Sequence, residues 1–222
     1  MATNRQAVLD QAMRWAADAR TRLRWNRVAN NCFEGDALFL WAARQPAGAP
    51  PPAAVEATGV NCFEIFMLAM CHADPDRAAT HDRMRTIFFD AAGQSGLGPP
   101  GFDPWPELLT RAGTLTRWDP LAGAIPLPGQ LVFLNRSSHV VMASRLRPEP
   151  ERAYMSRLDV LSFYGNYPAL PARTDTPTPV AVATLAQIRD YYCALQNFAL
   201  RANSPPFTAA DVTIEFGDPF WA

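Results

Sequence analysis

The 222-residue chain contains no lysine: all twenty of its basic side chains are arginine. Codon bias in a GC-rich genome accounts for this on its own; selection against lysine-directed modification such as ubiquitination is the sharper alternative. Charge of either sign is scarce, 18% of residues against roughly 25% in an average soluble domain, and the net charge is only −1. Such a chain has no electrostatic footprint for nucleic acid or for an anionic membrane surface. Its 49% hydrophobic content excludes a disordered, solvating chain. No apolar run reaches the ~20 residues of a membrane span, so none is expected. The stretch Met1–Asp10 lacks the continuous apolar core of a secretory signal. Synthesis in the cytoplasm is therefore expected, with any export left to a signal-peptide-independent system.

Cysteine is too sparse for a disulfide scaffold, with four residues, Cys32, Cys62, Cys71 and Cys193, in a chain of this size. There is no Cys-x-x-Cys pair, and Cys71-His72 followed by His81 matches no common zinc-ligand spacing. Glycine-rich phosphate or dinucleotide loops are missing wherever a strand turns into a helix. No metal and no cofactor are expected. What remains is a set of free thiols, and the question is whether one of them is reactive.

Proline, by contrast, is plentiful: 21 residues, nearly twice the usual ~5%, which predicts many loops. Residues 4–29 read as an amphipathic helix, and Asn31-Cys32-Phe33-Glu34 opens a second helix to about Arg44. The proline run 45–52 is a linker, so that residues 1–52 form an N-terminal helical region ahead of a domain over 53–222, or one continuous domain with it. A third helix starts at Asn61 with Cys62, Ile65, Phe66 and Ala69 on one face. Asp74-Pro75 starts a fourth that ends by Gly93, and Asp103-Pro104 a short fifth to about Arg111. The character then changes to short β-branched and aromatic runs at 130–135, 139–144 and 158–164, the last two joined by the turn Arg147–Pro150. A Pro-rich loop over 167–179, a helix over 185–200 and a strand near 212–216 complete an α+β layout.

The tetrapeptide Asn-Cys-Phe-Glu occurs twice, at 31–34 and 61–64, and each copy fits a capping box, with Asn as cap and Glu reaching back to it. A cysteine in the first helical turn faces unpaired N–H groups and the positive end of the helix dipole, both of which favour a nucleophilic thiolate. An imidazole completes the pair as base and later acid. His72 and His81 read as solvated helix residues; His139 alone begins a strand, after the polar turn 135–138. Cys71 and Cys193 read as buried small hydrophobes, and so does Cys32, with a nucleophile as its alternative role.

Cys62 at a helix start, Pro128-Gly-Gln-Leu-Val-Phe-Leu134, Ser138-His139-Val-Val-Met142 and the return strand Val160–Tyr164 together resemble the NlpC-type branch of papain-like cysteine hydrolases over roughly residues 58–170. The resemblance implies a papain-like α+β fold in which the nucleophile's helix packs on a small antiparallel sheet. It also implies that Cys62 is the nucleophile, His139 the general base, and a polar residue of the next strand the imidazole's orienter. Pairing across the hairpin places that third residue near Ser162, on one face with Tyr164 and Asn166, while Asp159 faces the other way. Asn166 takes the role if the register slips. Two departures accompany the match: the family's aspartate after Pro-Gly is Gln130, and no tyrosine precedes Tyr154 to bind the oxyanion, which leaves the Cys62 N–H with Asn31 or Asn61. Asn61-Cys-Phe-Glu-Ile-Phe66 is also similar to the lecithin–retinol acyltransferase signature, but there histidine precedes cysteine in the chain.

The resemblance therefore implies a cysteine peptidase or amidase acting through an acyl-enzyme on a peptide, protein or peptidoglycan amide or on a glutamine side chain, with deamidation or acyl transfer as variants. Similar small domains serve as secreted bacterial effector toxins, whose cognate partner would be an immunity protein filling the cleft. The alternative is a catalytically inactive papain-like binding or adaptor module.

Overall fold

The computed structural model describes residues 5–18, 20–25, 37–55, 58–86, 115–119, 124–135, 138–164, 177–200 and 204–218. Helices α1 (Arg5–Ala17), α2 (Ala37–Arg44), α3 (Glu64–Ala73) and α4 (Arg77–Arg85) precede most of the strands, and α5 (Tyr154–Arg157) and α6 (Leu185–Ala199) lie among them. The strands are β1 (Arg22–Trp25), β2 (Gly59–Val60), β3 (Leu115–Arg117), β4 (Leu131–Leu134), β5 (His139–Leu146), β6 (Leu158–Ser162), β7 (Pro177–Pro179), β8 (Ala181–Thr184) and β9 (Ile214–Gly217). The class is α+β, as the run of helices followed by strands implies. No helix among the described residues is long and apolar enough to cross a membrane.

The main sheet has six antiparallel strands in the order β3-β9-β4-β5-β6-β8. Both of its faces are covered, which is why β4 and the first half of β5 read as unbroken apolar runs instead of alternating ones. Phe133, Val140, Met142, Leu161 and Phe163 share a core with α1, α2 and α3. Val132, Leu134, Val141, Ala143 and Val160 share a second core with Leu185, Ile188 and Tyr192 of α6. Each such side chain contributes about 1.5–3 kcal/mol when fully buried. A smaller sheet, β2-β1-β7, joins the N-terminal segment to the chain just before α3. Val8, Leu38 and Phe66 belong to one hydrophobic cluster, so α1, α2 and α3 pack around a common core.

Four sequence expectations change. Residues 177–179, expected to close a Pro-rich loop, form strand β7, paired antiparallel with β1. The helix expected over 4–29 ends at Ala17, and Arg22–Trp25 is a strand with exposed arginines alternating with buried Leu23 and Trp25. That alternation is a period of two, and pairing on both sides of β1 overrides the helical tendency of the segment. The fourth helix is capped by Asp76, whose side chain accepts from Ala79 N–H at 3.0 Å, and not by Asp74, whose carboxylate accepts from Asp76 N–H. His81 is not solvated: it is buried edge-on against Trp41, with ring centroids 4.8 Å apart. The helix starts at Asn31 and Asp103, Cys32, Asn31 and Asn166 lie outside the described residues.

Candidate active site

The cap of α3 sets the position of Cys62. Asn61 Oδ1 accepts from the N–H groups of Phe63 and Glu64 at 2.9 and 3.0 Å, and Glu64 Oε2 accepts from Asn61 N–H at 2.9 Å. This is the reciprocal capping box that the tetrapeptide implies. Ile65 N–H donates to Asn61 C=O at 3.1 Å, so Cys62 is in the first turn. Asn61 Oδ1 is thereby spent on the helix, and Glu64, only 2% exposed, has its carboxylate turned back onto the cap.

β1 runs parallel to β2 with Trp25 opposite Val60, delivering the chain to Cys62 beneath the start of β5. The thiol lies against the backbone N–H of Val140, the residue after His139, and against those of Cys62 and Phe63. Phe63 packs on Phe133 of β4 with centroids 6.1 Å apart, which holds the helix start on the sheet. The turn before β4 is fitted just as closely. Gly129 has φ +83°, a conformation that favours glycine, and a Cβ there would lie 2.3 Å from Arg5 Cγ. Gln130 accepts from Leu127 N–H at 2.8 Å and donates to Asp218 at 3.2 Å, which ties the turn to the end of β9.

His139 is fully buried, and its Nε2 lies 3.3 Å from Ser162 Oγ. Nδ1 has no hydrogen-bond partner among the described residues. The structure thus brings Ser162 to His139, although not by the expected register. Met142 pairs with Leu161; continued outward, that ladder sets Ser162 across from Val141 and Tyr164 across from His139. The pairing is two residues away from the expected one. An even slip keeps every side chain on its face, so Ser162 reaches His139 diagonally. Asp159 is on the other face and holds Arg145 at 3.1 Å and Arg147 at 2.7 Å.

Aromatic rings close the site. Tyr164 meets the His139 ring edge-on with centroids 4.1 Å apart, stacks on Trp25 at 5.7 Å and meets Tyr191 of α6 at 5.3 Å. Sequence reasoning placed Tyr164 on the face of Ser162 but assigned it no role. Trp25 carried no signal at all, because its segment reads as helix. No protein-family model, curated protein or solved structure matches this chain.

Burial decides the protonation of the pair. It pushes the Cys62 thiol up to about 11 against the pull of the Val140, Cys62 and Phe63 N–H groups. It brings His139 down to about 3. The resting pair is therefore thiol and neutral imidazole. Burial also raises Cys71 and Cys193, the former with help from the Asp74 charge, so neither carries thiolate near neutrality.

A stability prediction follows from linkage. Between about 6.5 and 3 the unfolded chain protonates His139 and the folded one does not, so the contribution of this group is intact above 6.5 and falls as pH drops. The slope is at most about 1.4 kcal/mol per pH unit. On the alkaline side Cys62 ionises in the unfolded chain from 9 and in the folded chain only near 11, so its contribution falls as pH rises through that window. Urea unfolding at stepped pH should give a shallower acid slope for His139→Gln than for wild type; equal slopes would contradict a buried neutral imidazole.

Proposed function

We propose that the chain is a papain-like cysteine hydrolase of the NlpC type, acting on an amide through Cys62, His139 and Ser162. The observation that carries this reading is the contact between a capped helix start bearing Cys62 and the first residues of the strand that begins at His139, although the thiol and Nδ1 are not hydrogen-bonded to each other in this structure. The thiol lies on the N–H of the residue next to that histidine, and the imidazole Nε2 lies 3.3 Å from Ser162 Oγ.

With its proton on Nε2, the ring donates to Ser162 Oγ and leaves the Nδ1 lone pair for the thiol proton. Sulfur attacks the carbonyl carbon as that proton moves to Nδ1, forming a tetrahedral oxyanion against the first-turn N–H groups. The imidazolium returns the proton to the leaving amine, and the C–N bond breaks. Water, deprotonated by the same nitrogen, then releases the acyl group and the thiol. A peptide, a peptidoglycan cross-bridge and a glutamine side chain all present this amide. The effector role, with its immunity protein, belongs to the same proposal and rests on the family resemblance.

The test is the rate of Cys62 alkylation by iodoacetamide against pH, read by peptide mass mapping. A base that takes the thiol proton gives a rate flat between the two pKa values of the pair, here about 3 and about 11. His139→Ala should lose at least about 10²-fold at pH 7 and rise tenfold per pH unit as the thiol ionises unaided. A wild-type profile with that same rising slope would remove the dyad and leave the inactive binding module as the better reading.

A further inference from the structure

One hydrogen bond does not fix an imidazole. The contact from Nε2 to Ser162 Oγ holds one corner of the ring and leaves rotation about the axis through that corner free, and Nδ1 has no hydrogen-bond partner among the described residues to stop it. Proton transfer from a thiol needs the Nδ1 lone pair aimed within a narrow cone, and a displacement of about 1 Å can cost about 10²-fold in rate. Something other than a polar contact has to set the plane of the His139 ring.

Tyr164 is placed to do so. Its ring meets that of His139 at 4.1 Å and 69°, an edge-to-face contact that favours one imidazole orientation. Tyr164 lies two residues beyond the end of β6 and across from His139 where the β5–β6 register is continued. Its own ring is clamped from two other elements, by Trp25 of β1 at 5.7 Å and 17° and by Tyr191 of α6 at 5.3 Å and 89°. Trp25 and Tyr191 are each only 7% exposed, so the clamp is anchored in the protein interior. Tyr164 is itself partly exposed, whereas the imidazole it covers is not exposed at all.

We infer that Tyr164 is a positioning residue for His139, its ring holding the imidazole plane and keeping water off that ring. This rests on the hydrolase reading above. The ring is what matters, not the hydroxyl.

The same iodoacetamide profile tests it in Tyr164→Phe, Tyr164→Leu and Trp25→Leu. Tyr164→Phe should keep the plateau within about twofold. Tyr164→Leu should lower the plateau about 10–100-fold and move its acid limb up by at least about one pH unit, because a rewetted imidazole returns toward its ordinary value. Trp25→Leu, which removes the support behind Tyr164, should lower the plateau about 3–10-fold, and it carries the test should Tyr164→Leu fail to fold. A Tyr164→Leu protein with the wild-type plateau and acid limb overturns the inference. So does a Tyr164→Phe protein as impaired as the leucine variant, or a Trp25→Leu protein identical to wild type. If wild type has no plateau and matches His139→Ala, the hydrolase reading falls and takes the inference with it. A wild-type plateau that survives in Tyr164→Leu removes the inference alone.

Discussion

Cys62→Ala and His139→Ala are each expected to reduce amide hydrolysis by at least about 10³-fold, and the double variant to lose no more than the worse single one. On the proposed reading nucleophile and base act as one unit: without the imidazole the buried thiol stays protonated up to about 11, and without the sulfur the imidazole would have nothing to activate but water. Ser162→Ala should cost less, about tenfold, because on the proposed reading its hydroxyl only orients the ring that Tyr164 also contacts. Release of amine or ammonia from unmodified peptides, peptidoglycan stem peptides and glutamine-bearing proteins is the measurement, and it also separates peptidase from deamidase. Undiminished turnover by Cys62→Ala would end the proposal whichever substrate is used.

Phe133→Ala is expected to destabilise the protein by about 3–5 kcal/mol. Phe133 is fully buried near the middle of the main sheet, in the core shared with α1 and α3, and its ring meets Phe63 at the start of α3. Truncation leaves a void that strands paired on both sides cannot close. It also frees the helix start that carries Cys62, so alkylation of Cys62 should lose its plateau before the protein unfolds. Phe198, 67% exposed on α6, is the control: Phe198→Ala should stay within about 0.5 kcal/mol. Urea midpoints compare the two; equal shifts would mean that the core does not sit on β4.

Much of this architecture was legible from local chemistry. The Asn-Cys-Phe-Glu tetrapeptide encodes its own cap, because Asn and Glu side chains three residues apart satisfy each other's backbone neighbours without any help from the fold. The apolar runs that became β4, β5 and β6, the capped helix α6 at Thr184 and the strand start at His139 are likewise short-range patterns. The face shared by His139 and Ser162 survived a register error of two residues because side chains alternate with a period of two. Other features had no local signal. Residues 22–25 became a strand through pairing with β2 and β7, segments far away in the chain. His81 was buried by Trp41 of another helix.

The pair's protonation was decided the same way. Residue type and helix position alone argue for a thiolate at Cys62; the packing of α3 under β5 removes water from both groups and leaves them neutral. Desolvation depends on everything that surrounds a group, so no motif encodes it. Sequence by itself therefore determined which side chains could do the chemistry and which strand faces they occupy. Only the tertiary structure decided that Ser162 and Tyr164 contact His139 and that Trp25 stands behind Tyr164, because each of these depends on contacts between residues distant in the chain.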